Sequence, residues 1–103
     1  MRIIAVKTLK YFWKKHSDSE QQLKAWFEET EKANWTNHND LKLQYRNASI
    51  VSDKRVVFNI HGNKYRLVVD IEYRFSLVFI IWAGTHEEYN KIEVKKLKYV
   101  KTN

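Results

Sequence analysis

The stretch from Lys54 to Trp82, KRVVFNIHGNKYRLVVDIEYRFSLVFIIW, limits what this chain can fold into more than any other. Val56, Val57, Phe58 and Ile60 form one apolar run, and Tyr65, Leu67, Val68, Val69 and Ile71 form a second. Between them lie His61, Gly62, Asn63 and Lys64. Gly and Asn accept positive φ at low cost, as a short hairpin connection requires. In the second run Tyr65, Leu67, Val69, Ile71 and Tyr73 share one face, and Arg66, Val68, Asp70 and Glu72 share the other. After a second turn near Arg74 to Ser76, residues 77–82 are apolar on both faces and read as the central, two-sided strand. The pattern predicts a three-stranded antiparallel meander.

The rest of the chain reads as cover for that meander. Arg2 to Val6 is a short β-branched run and a first strand. Leu9, Phe12 and Trp13 give a helical face within Thr8 to His16, with Lys7, Lys10, Lys14 and Lys15 largely elsewhere. Ser17 and Glu20 have capping-box spacing, which predicts a second helix running to about Ala33 with Leu23, Trp26, Phe27 and Thr30 on its apolar face. The two helices form a hairpin able to cover one sheet face. Residues 34–40 read as a loop, 41–45 as a short helical turn and 49–51 as an edge strand. Gly84 is expected to end the last meander strand, and Thr85 with Glu88 to cap a short helix that starts at His86. Residues 93–103 read as a last strand or as a tail that orders with a partner. Without proline, repeats or a low-complexity linker, residues 1–103 are expected to form a single α+β domain.

A formal net charge of +7 and a pI near 9.6 point to an anionic partner, nucleic acid ahead of a membrane surface. An acidic polypeptide, or charge serving only solubility, is also compatible. The absence of Cys excludes disulfides and thiolate metal sites. No phosphate-binding glycine loop, HExxH or GxSxG motif occurs, and the four His are scattered, so neither a metal nor a cofactor is expected. No run approaches the ~18 apolar residues of a membrane span, and the N-terminus carries no secretory apolar region. A cytoplasmic protein without membrane attachment is the expectation.

What remains is a polar set at the strand ends. Lys54 and Arg55 open the first meander strand. Asn59, His61, Asn63, Lys64 and Arg66 lie at the hairpin, and His86, Tyr89 and Asn90 share one face of the short helix. Cleaving RNA without a metal requires a base for the 2′-hydroxyl, cations for the developing phosphorane charge and an acid for the leaving 5′-oxygen. An imidazole and a phenol beside Arg and Lys can supply these. The turn alone accounts for Gly62 and Asn63, Tyr89 suits a core, and Arg66 has Asp70 on its own face as a possible partner. Spacing by itself leaves open a non-catalytic RNA- or DNA-binding module and a protein-interaction subunit.

Phe58, Asn59, Gly62, Asn63, Arg66 and Leu67, followed by Thr85, His86 and Tyr89, form two linked motifs. In them the chain resembles the HigB-type toxins of the RelE superfamily, over about residues 47–92. The pair Asp53-Lys54 also resembles the family, and Asn90 departs from it where Asp is commoner. The resemblance implies a RelE-like fold, with an N-terminal strand and helical hairpin packed on an antiparallel meander and a short helix near the C-terminus. It also implies a metal-independent mRNA endonuclease, often acting on the ribosome and neutralised by a HigA antitoxin that carries a helix-turn-helix. Arg66 then suits the scissile phosphate, His86 proton transfer, Tyr89 orientation or hydrogen bonding, and Lys54 positive potential. Arg55, Asn59, His61, Asn63, Lys64 and Asn90 are expected to contact RNA.

Overall fold

In a computed structural model that describes residues 1–99, helices cover one face of a five-stranded mixed sheet. The elements are β1 (Arg2–Ile4), α1 (Val6–Lys15), α2 (Glu20–Lys32), α3 (His38–Gln44), β2 (Ser49–Ile50), β3 (Arg55–Ile60), β4 (Tyr65–Glu72), β5 (Leu77–Thr85) and α4 (His86–Tyr89). The strand order is β1-β5-β4-β3-β2, with β1 parallel to β5 and the other pairs antiparallel. The helices carry the chain from one sheet edge to the other, and the meander then walks back until β5 meets β1. This is the predicted α+β arrangement. No helix among the described residues is long and apolar enough to cross a membrane.

The alternation read from the sequence sorts the side chains. Val56, Phe58, Ile60, Tyr65, Leu67, Val69, Ile71, Val78 and Ile80 meet Leu9, Phe12, Leu23, Trp26 and Leu41 in one apolar core. Burying each large aliphatic side chain contributes about 1.5–3 kcal/mol. Several local expectations need correction. The positive φ values of the hairpin fall on His61 and Gly62, not on Asn63. The Ser17–Glu20 capping box does not form, because residues 17–19 make a 3-10 turn and the Ser19 hydroxyl donates back to the His16 carbonyl at 2.7 Å. α1 starts two residues early, entered through Ala5 at φ 71°. α3 reaches back into the expected loop, since the Asn37 side chain accepts from the Asp40 N–H at 2.9 Å.

β5 is an interior strand, yet the middle of the sheet is β4, whose Val68 is fully buried on the face away from the helices. β5 also runs on through Gly84 to Thr85, which pairs with Tyr65. Residues 93–99 form no strand. They lie across the second face of the sheet, where the Arg55 guanidinium donates to the carbonyls of Val94 and Leu97 and the Tyr99 ring packs edge-on against Phe79. The remainder of that basic segment, 100–103, lies outside the described residues.

Candidate active site

Arg66 is the second residue of β4 after the turn, on the face opposite the core. In register it sits between Asn59 of β3 and Gly84 of β5. The turn holds its guanidinium: Nη2 donates to the Asn63 side-chain oxygen at 2.6 Å, and Nη1 to the Asn63 carbonyl at 3.1 Å. Nη2 also reaches Nδ1 of His86 at 3.2 Å, and the guanidinium lies over the Tyr89 ring, 5.9 Å from its centroid. His86 is the first residue of α4. Its position is set by the predicted Thr85–Glu88 capping box, which does form, and by its own N–H donating to the Lys64 carbonyl at 2.9 Å. A cation, an imidazole, an amide and a phenol ring thus converge at the end of the sheet where β4 begins and β5 ends.

Two further residues complete this corner, and alternation conceals them. Counting from Val78 and Ile80, Trp82 should point into the core. A bulge opposite Val68/Val69 adds Ile81, and the phase reverses: Val69 faces Ile80, while Val68 faces Trp82. The Trp82 indole therefore lies on the Arg66 side, 6.3 Å from the Tyr89 ring between centroids. It also covers Gly84, where a Cβ would come within 2.2 Å of the ring. The signal available in the sequence was a glycine two residues after a tryptophan at a strand end. Gly84→Ala is expected to displace the indole and to lower stability by about 1–3 kcal/mol. The same change in a Trp82→Ala background should cost far less in denaturant unfolding.

Nδ1 of His86 has two neighbours, Nη2 of Arg66 and the Asn63 carbonyl at 3.3 Å. The first contact needs a lone pair on Nδ1 and leaves the proton on Nε2. The second needs the proton on Nδ1 and leaves Nε2 free to accept one. The two contacts thus correspond to the donor and acceptor forms of the same ring nitrogen.

The other expected site residues divide. Asn59 is exposed beside Arg66, and Asn90 closes α4 with its N–H on the His86 carbonyl at 3.1 Å. His61 stacks on Tyr65 with centroids 6.4 Å apart. Lys64 is ion-paired with Asp18, and its ammonium, with the Tyr65 hydroxyl, holds the Asp18 carboxyl down to about 2. That contact bolts the helical hairpin to the turn. Lys54 does not join Arg66. It immediately precedes β3 at the opposite end of the sheet, some five residues or about 17 Å from Asn59. There it pairs with Glu72 at 2.5 Å, which raises its pKa. Arg55 is buried, and its guanidinium grips both Asp70 oxygens at 2.7 and 2.8 Å. It braces the fold where an RNA contact was expected, and it takes Asp70, the carboxylate that shares a strand face with Arg66.

Residues 19–92 match the family model of the HigB toxin, a RelE-like toxic component of a toxin–antitoxin system. The chain belongs to the HigB toxin family. The matched span contains every residue of the Arg66–His86 corner, and the observed sheet is consistent with the RelE-like fold. Membership in a toxin–antitoxin family gives this HigB-family chain an antitoxin as partner. No curated protein shows a significant match to it.

Proposed function

We propose that this HigB-family toxin is an endoribonuclease that cleaves mRNA without a metal, that it acts in the cytoplasm with the ribosome as the setting, and that a HigA-type helix-turn-helix antitoxin neutralises it. The observation that carries this reading is the 3.2 Å approach of the Arg66 guanidinium to the His86 imidazole, at a half-exposed corner next to the Tyr89 ring. In the reaction the 2′-oxygen attacks the adjacent phosphorus and the bond to the 5′-oxygen breaks, leaving a cyclic phosphate and a 5′-hydroxyl. Arg66 would turn its Nη2 from His86 to the phosphate oxygens, where charge accumulates. His86, shifted towards the Asn63 carbonyl, then has Nε2 free to take or return a proton. Tyr89 supports the guanidinium through its ring face.

A non-catalytic RNA- or DNA-binding module would use the same basic residues, but it has no use for an imidazole held against the phosphate-binding cation. Among the described residues, no three His, Cys, Asp or Glu are grouped to hold a metal ion. Two results are therefore expected. Induction of the chain without its antitoxin should arrest growth with new 5′ ends appearing in translated transcripts. Purified activity should survive EDTA under conditions in which the ribosomes are shown to stay intact. Arrest with intact transcripts, or EDTA inhibition reversed by a divalent ion, would count against the respective half of the proposal.

A further inference from the structure

We infer that the outward face of α1 is a docking surface for single-stranded RNA that flanks the cut, an inference that rests on the endonuclease reading and extends it to substrate binding. Lys7, Lys10, Tyr11 and Lys14 are all exposed on this helix, and with Thr8 they line an open groove of about 520 Å³. α1 contains no Asp or Glu, and no ion pair to these lysines is present among the described residues. By contrast Lys54 and Lys64, the lysines nearest the hairpin motif in sequence, are both paired with carboxylates. α1 therefore carries a row of uncompensated positive charge.

Position links this face to the catalytic corner. α1 packs against β5, and on its flank Tyr11, Lys15 and His16 share a small recess with Ala83 and Glu88. Glu88 lies two residues beyond His86 on α4. Arg66 stands on the sheet face away from the helices, so a strand leaving the corner reaches α1 by rounding the sheet end at α4. Lys7, Lys10 and Lys14 follow one another along a helix face at i, i+3 and i+7, spanning ~10 Å of helix, the length of about three stacked nucleotides at ~3.4 Å each. Tyr11 stands among them with 73% of its surface exposed, a flat ring on which a base can stack. The apolar surface of the groove is one aromatic ring with lysine and threonine carbons, and no Leu, Ile, Val or Met side chain lines it for a protein helix to interdigitate with. Cations around one exposed ring match a nucleic-acid backbone and base better.

The test is equilibrium binding of a labelled, uncleavable 2′-O-methyl oligoribonucleotide across a range of salt concentrations. The variant Lys7→Gln/Lys10→Gln/Lys14→Gln should lower the magnitude of the slope of log K against log salt by about 2, at ~0.7 for each phosphate that a lysine neutralises on a single strand. Tyr11→Ser should weaken binding about tenfold with the slope unchanged. Thermal unfolding of both variants should match the wild type, because all four side chains are exposed. An unaltered slope in the triple variant, or no binding by the wild type, overturns the inference. So does a triple variant that binds RNA normally and instead loses its antitoxin, since the face would then belong to a protein. The oligonucleotide is not cut, so these outcomes are independent of catalysis. A failure of the endonuclease reading would show as intact transcripts alongside retained RNA binding.

Discussion

Replacing Arg66 or His86 by alanine is expected to abolish growth arrest on induction while leaving a folded protein that still binds its antitoxin. The expected loss in cleavage rate is ~10²–10⁴-fold for His86→Ala, the usual range for a positioned proton-transfer group. Removing the Arg66 cation, proposed to face the phosphate, should cost about 10²–10³-fold. Neither side chain is part of the apolar core, and both are half-exposed, so unfolding midpoints should move little. Asn63→Ala has a different expected signature. It removes the 2.6 Å side-chain acceptor that orients Arg66 but leaves the turn's positive φ at His61 and Gly62. Its effect should therefore be smaller than that of Arg66→Ala, and the double variant should be no worse than Arg66→Ala alone. If Arg66→Ala and His86→Ala are both as toxic as the wild type at equal expression, the corner is not the catalytic site, whatever the family.

Arg55→Ala should fail for another reason. The Arg55 side chain is only 9% exposed, its two-pronged contact with Asp70 is cross-strand between β3 and β4, and it also holds the carbonyls of Val94 and Leu97. Removing it leaves a carboxylate beside buried valines without its counter-ion, which costs about 3–5 kcal/mol for a fully buried pair and somewhat less here, where Asp70 keeps 23% of its side chain in water. Denaturant unfolding should show this loss, together with release of the 93–99 segment as increased proteolysis. Arg55→Met combined with Asp70→Leu should restore much of the stability, because the two apolar side chains pack without a stranded charge. An Arg55→Ala variant with wild-type stability and weakened RNA binding would instead return Arg55 to the role expected of it from the sequence.

Residue order alone specified most of the elements and the faces they bury. Alternation from Tyr65 to Ile71 placed Arg66 opposite the core, and the spacing of Leu23, Trp26 and Thr30 placed the cover. The Thr85–Glu88 capping box announced where the chain turns from strand to helix. These signals are local, with periods of two or 3.6 residues. The linked motifs also identified Arg66 and His86 as partners, though they lie 20 residues apart.

Which polar residues those partners would keep was settled by tertiary packing. Lys54 and Arg66 are close to the same motif in sequence, but antiparallel register carries one to each end of the hairpin. Arg55 and Asp70 met across two strands and became a buried pair, so a basic residue expected to face RNA was taken into the fold. A single bulge turned Trp82 out of the core and over Gly84. Charge at a strand end says nothing about its counter-ion, and alternation says nothing about a residue inserted into it. Both depend on register between distant segments, which packing of the whole sheet against its helices sets.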